Sequence, residues 1–233
     1  IKADRTIRFD LGAIQILDTY GDVISGSVIG SKSESKAASP LSGLKTKTKL
    51  YLGLSELLQQ PAFAGVGSVL AGQAEVELDF NAAAEYPLQL QVIITGLRAR
   101  DLPSSSQDYR LAAQLKQTSG GVYTLGSNLQ AGFESRPSTN IKMGCQFYPE
   151  RQPLPFKFSL ASSRVSQGDI ELLMASLFTN NTAGSASSNS ALAPRAEETK
   201  TQRPPWSDFD GEVSIKVDEL ALESGQVLTE LKA

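Results

Sequence analysis

Apolar and polar residues alternate with a period of two along most of the chain, the spacing that sends successive side chains to opposite faces of a β-strand. From Leu44 to Leu52, the apolar or β-branched Leu44, Thr46, Thr48, Leu50 and Leu52 alternate with Lys45, Lys47, Lys49 and Tyr51, so one face of this strand carries lysines and must be wet. The same alternation sets Val76, Leu78 and Phe80 against Glu75, Glu77 and Asp79, and Phe156, Phe158 and Leu160 against Lys157 and Ser159. It recurs near the end, with Val213, Ile215 and Val217 against Glu212, Ser214 and Lys216. Further strands are predicted over 6–17, 22–29, 89–95, 110–117, 122–133, 141–147 and 226–231. Helical periodicity is confined to 55–60, which Pro61 ends by removing a donor and clashing with the preceding turn, and to 168–177.

So many short strands predict an all-β fold, an antiparallel β-barrel with long excursions between strands, and one domain over residues 1–233. An N-terminal docking segment is expected around 17–30. Two stretches read as irregular, 31–43 and a longer run around 179–206 that is rich in Asn, Ser, Ala and Pro. The longer one exceeds an ordinary hairpin loop and is expected to dock on something. No period of 20 to 50 residues is present, which argues against a repeat architecture.

Composition then removes most chemistries. The 233 residues include no histidine and one cysteine, Cys145. Ser-His-Asp, Cys-His and histidine-ligated metal sites are therefore excluded, as are an intrachain disulfide and a multi-thiolate zinc site. Cys145 reads as a small, half-buried core residue rather than a reactive thiol. A net charge of -3 argues against nucleic acid as the main partner, since phosphate binding needs a concentrated basic surface. Charged residues interrupt every apolar run well before the length a membrane-spanning helix requires. Ile1 in place of methionine fits signal removal or trimming.

No glycine-rich phosphate loop opens a helix, and no spaced GxGxxG follows a strand. Asp208 and Asp210 are two apart before a strand, a spacing open to calcium binding or acid-base work, but they read first as solvated strand-end carboxylates. Glu197 and Glu198 read as surface charge. The chain is not expected to be an enzyme.

Short motifs in order along the chain carry a family resemblance. Thr19-Tyr20-Gly21-Asp22-Val23-Ile24-Ser25-Gly26, then Leu57, Gln60, Pro61 and Phe63, then Ser106 with Asp108, Leu115-Lys116 and Ser119-Gly120-Gly121, all fall in matching order. Later come Glu150-Arg151-Gln152-Pro153-Leu154-Pro155-Phe156, Ala191-Leu192-Ala193-Pro194 with Glu197-Glu198, and Gly211-Glu212-Val213-Ser214-Ile215-Lys216-Val217 with Ser224-Gly225-Gln226-Val227. Together these resemble the PsbO family, the extrinsic manganese-stabilising proteins of photosystem II. The family's paired cysteines have no counterpart: Lys32 or Ser33 and Leu57 or Leu58 stand at those places. The chain also lacks the family's closing strand and its Leu-Asp-Pro-Lys-Gly-Arg-Gly loop, where Leu177-Phe178-Thr179-Asn180-Asn181 stands instead.

The resemblance implies an extrinsic subunit on the lumenal face of photosystem II, in the thylakoid lumen or at the periplasmic face where thylakoids are absent. It would contact core proteins and other extrinsic subunits, and steady the manganese-calcium cluster without ligating metal or binding a cofactor itself. It also assigns partner-binding roles to Tyr20, Asp22, Glu150 and Arg151, the arginine because its planar fork holds a carboxylate bidentately. A rival from another class is a calcium- and phospholipid-binding β-sandwich of the synaptotagmin type. Leu90 to Ile94, Ala99 to Pro103 and Ser207 to Val213 echo its strands and loop ends, and Asp101, Asp108, Asp208 and Asp210 would be its calcium ligands.

Overall fold

In the order of the chain, β1 (Thr6–Asp18), β2 (Gly21–Ser33) and β3 (Leu44–Gly53) lead to a short helix α1 (Leu54–Leu58). The strands β4 (Val69–Asn81), β5 (Leu88–Ala99), β6 (Leu102–Thr118), β7 (Val122–Ala131), β8 (Thr139–Phe147) and β9 (Leu154–Ser166) follow. A second helix α2 (Gln167–Leu177) precedes β10 (Phe209–Ala221) and β11 (Val227–Lys232). This computed structural model describes residues 6–18, 21–33, 43–58, 69–118, 121–132, 137–148, 154–177 and 209–232.

All strands join one 11-stranded sheet in which spatial order equals chain order. The expected all-β class holds, while the expected barrel does not: the sheet is open, because β1 and β11 do not meet. The far edge shows why it ends there. β11 covers only Lys216 to Ala221 of β10, and Glu230 within it has a positive φ of 58°, a conformation a non-glycine residue adopts only at a cost. Nor is the sheet purely antiparallel, since β9 and β10 run parallel from Phe209–Leu154 to Ala221–Ser166. Parallel neighbours need a crossover, and α2 begins it, directly after β9.

The predicted strands are found within a few residues of their expected limits. The largest extension is β6, which starts at Leu102 rather than Arg110. Its Ser104, Ser105 and Ser106 carry no apolar alternation, and they fall in a register irregularity between the Leu97–Gln107 and Ala99–Leu102 pairs with β5. The expected irregular run over 31–43 is shortened by β2, which continues to Ser33; residues 34–42 and the run around 179–206 lie outside the described residues, as does Pro61. The segment around 17–30 is largely strand β2, paired with β1 on one side and β3 on the other.

The described helices cover one end of the sheet. Along α2, Asp169, Leu172 and Ser176 are buried, a spacing of three and four that turns one helical face inward. Leu172 (2% exposed) belongs to a core cluster with Val69, Leu97, Ala99, Tyr109 and Ala131, with Leu54 and Leu58 of α1 at the margin. The sheet bends toward these helices through register shifts in β4/β5 between Val69 and Gln73 and in β5/β6 between Ile94 and Ala99. Gly72 sits in the first shift with φ 148°, where an added Cβ would press on Leu54 and the Leu97 backbone at 3.3 Å.

Candidate functional site

From β2 to β10 the strand registers line residues up in rows that cross the sheet. One row runs Val28, Thr48, Leu78, Leu90, Ala113, Ser127, Met143, Leu160, Ile215. Its neighbour on the same face runs Gly30, Thr46, Phe80, Leu88, Leu115, Leu125, Cys145, Phe158, Val213. Neither row contains a charge. Toward the helices lies a third, with Leu50, Val76, Val92, Leu111, Leu129 and Ile141 in register.

The opposite face is polar by the same arithmetic. Lys49, Glu77, Gln91, Ala112, Asn128 and Lys142 form one row, and Lys47, Asp79, Gln89, Gln114 and Gly126 another. Lys49 bridges Glu75 and Glu77, and Lys47 lies 3.6 Å from Asp79. The hydrogen bond to Glu75, with Glu77 adding to it, holds the Lys49 ammonium above the ordinary lysine range. A groove of about 810 Å³ crosses β2 to β8 between these rows.

The apolar face is therefore the unusual surface. Each described strand packs mainly on its ladder neighbours, and α1 and α2 reach only the end that holds Tyr109 and Ala131. Leu78, Leu90, Met143 and Leu160 stay half-buried, and Leu125, Ile215 and Val213 are 38%, 39% and 53% exposed. A monomer rarely leaves an apolar surface of this extent to water unless it binds something.

Where the helices do cover the face, one buried carboxylate organises the contact. Asp169 of α2 accepts hydrogen bonds from Gln107 Nε2 (2.7 Å), Ser138 Oγ (2.6 Å) and Thr139 Oγ1 (2.7 Å). The Tyr109 hydroxyl donates to the Asp169 backbone carbonyl at 2.7 Å, and the Ser166 N–H donates to Thr139 Oγ1 at 2.9 Å. Burial first, and the Asp169 charge second, push the Tyr109 hydroxyl above its ordinary value. Every donor here is neutral and every one is engaged, so the arrangement is an anchor for α2 with no activated nucleophile in it.

Of the residues expected to bind a partner, Tyr20, Glu150 and Arg151 lie outside the described residues. Asp22 lies on β2, in register with Leu17 of β1. Cys145 is a free, half-buried thiol, in agreement with the expectation. Of the four proposed calcium ligands, Asp108 accepts the Gly96 N–H at 2.7 Å, Asp101 lies in the β5–β6 turn, Asp210 is paired along β10, and Asp208 is outside the described residues. Among the described residues no three carboxylate or thiol groups converge. Neither the anchor around Asp169 nor the aligned rows were foreseen. Asp169 reads in sequence as an ordinary first-turn acid, and its one clue is the apolar Ile170, Leu172 and Leu173 that must face a core and carry it inward.

No family model matches the chain, and no curated protein or solved structure matches it either. The likeness to PsbO rests on the motifs alone.

Proposed function

We propose that this chain is a non-enzymatic binding protein whose apolar sheet face holds the acyl chains of lipids. One observation carries the reading: aliphatic residues stay in register from β2 to β10 on a face that the described helices cover only at one end. At a strand spacing of about 4.8 Å such a row is roughly 40 Å long, room for an extended acyl chain. The row from Val28 to Ile215 and the row from Leu50 to Ile141 offer side chains of Leu, Val, Ile, Met and Ala with hydroxyls at Thr48 and Ser127, so they grip by area and not by direction. About ten methylenes leaving water, at ~0.8 kcal/mol each, supply roughly 8 kcal/mol before the cost of association. The neutral character of the rows favours hydrocarbon over a polar or charged ligand, since a buried polar group without a partner is penalised.

Binding of a fluorescent long-chain fatty acid to the purified chain, with displacement by phospholipid, tests the reading. Saturable binding that Leu90→Asp abolishes, while Gln91→Asp on the other face leaves it in place, is expected. Absence of saturable binding, or equal loss from both variants, overturns it. Rebinding to photosystem II membranes stripped of extrinsic subunits, with recovery of oxygen evolution, would instead favour the extrinsic-subunit reading drawn from the motifs.

A further inference from the structure

Strand β2 turns Val28, Gly30 and Lys32 to the apolar face, since they stand in register with Thr48, Thr46 and Leu44 of β3. Lys32 therefore lies at the rim of that face, between Ile7 of β1 and Leu44 of β3. Its side chain is exposed, and among the described residues it has no ion pair or hydrogen bond. Lysines on the polar face are placed differently: Lys47 lies by Asp79, Lys49 by Glu75 and Glu77, Lys116 by Glu85, and Lys157 by Glu212. Beside Lys32, Gly30 puts no side chain between it and Val28, and Thr46 and Thr48 bring two hydroxyls on the adjoining strand. The far end of the same rows has neither charge nor hydroxyl: Met143, Leu160 and Ile215 close one row, and Cys145, Phe158 and Val213 the other.

The apolar face thus has a cationic, hydroxyl-bearing corner at β2 and β3 and a hydrocarbon end at β8 to β10, the same asymmetry as an ionised amphiphile. An anionic headgroup laid over the aliphatic rows would lose water and gain no partner. At Lys32 it gains a charge-assisted hydrogen bond from an ammonium whose stem lies along apolar surface while its tip stays wet. We infer that Lys32 holds the anionic headgroup of the bound lipid, a carboxylate or a phosphate, and that the acyl chain runs from β3 toward β10. This rests on the acyl-binding reading and adds the ligand's charge and its direction across the sheet.

Calorimetric titration of the full chain with dodecanoate, dodecyl phosphate and dodecanol tests the inference. Lys32→Gln is expected to weaken binding of an anion about two- to fivefold, the worth of one partly solvated ion pair, and to leave dodecanol unchanged. Lys32→Arg should restore most of the loss, and Lys45→Gln, on the neighbouring strand but on the polar face, should alter none of the three. Loss confined to dodecanoate identifies a carboxylate site, and loss confined to dodecyl phosphate a phosphate site. Unchanged binding of both anions by Lys32→Gln, or an equal loss of dodecanol, overturns the headgroup assignment and leaves acyl binding standing. If the unaltered chain binds none of the three, the acyl reading falls and this inference with it. Direction is read separately: Ile215→Asp, at the far end of the row that holds Leu90, should weaken the bound anion less than Leu90→Asp does, because a short chain anchored at β2 stops before β10. Equal loss from the two overturns the direction.

Discussion

The helix-covered end of the apolar face and its open middle are built from the same alternation and lie on the same strands, yet they differ in almost every physical respect. At Tyr109, Ala131 and Leu172 the side chains are sealed and a carboxylate is fully engaged. Two rows away, at Leu90, Ala113 and Met143, no described element lies above the sheet. Patterning thus makes an apolar face, while a covering element decides whether that face becomes a core or a binding surface. The register shifts and Gly72 fall on the covered side, where the sheet must bend to meet a helix.

The largest effect that tests this contrast is at Leu172. Leu172→Ala should cost about 3 kcal/mol in denaturant unfolding, because it removes a sealed side chain from a site that cannot collapse. Asp169→Ala should cost about 2 kcal/mol by the same measurement, since Gln107, Ser138 and Thr139 each lose a charged acceptor. If either variant matched the unaltered chain, the covered end would not be the structural half of the comparison.

Leu90→Ala sits between these and the surface. It should cost about 1 kcal/mol or less, because the side chain is only partly buried, yet weaken fatty-acid binding several-fold. A loss as large as that at Leu172 would show that the middle of the face is sealed in solution.

Tyr109→Phe should cost about 1 kcal/mol at neutral pH through its hydrogen bond to the Asp169 carbonyl. It should also alter the alkaline limb. The folded chain keeps the Tyr109 proton above its ordinary value of 10.0, so between that value and the raised one the unfolded state binds fewer protons. Stability conferred by the raised value is therefore whole below pH 10 and falls as pH rises beyond it. The variant should show a shallower alkaline decline by urea midpoints; an identical decline would detach Tyr109 from it. Smallest of all, Lys47→Ala on the polar face should shift stability by about 0.5 kcal/mol or less, since its pair with Asp79 is solvated.

Much of this architecture was legible beforehand, for reasons visible in particular residues. Lys45, Lys47 and Lys49 cannot share a face with Leu50 and Leu52, so period two alone gave β3 and its wet side. The same logic placed β4, β9 and β10. β6 was cut short because Ser104 to Ser106 carry no pattern and lie in a register irregularity between Leu102 and Gln107. The barrel expectation failed at Glu230 and the short β11, since closure depends on strands far apart in the chain meeting with compatible length and stagger. Three of the partner residues expected from the motifs, Tyr20, Glu150 and Arg151, lie outside the described residues, and the anchor around Asp169 was hidden because Gln107, Ser138 and Thr139 are scattered through the chain.

What the sequence determined by itself is local: which residues are strand, which face of each strand is apolar, and which histidine- and thiolate-dependent chemistries the composition forbids. Those follow from side-chain alternation and from the inventory of ionisable groups, neither of which needs a partner strand. Tertiary structure alone decided that the alternating faces join into unbroken rows, that helices cover one end, and that the sheet stays open. Each depends on register between strands, and a shift of one residue would turn every side chain of a strand to the other face.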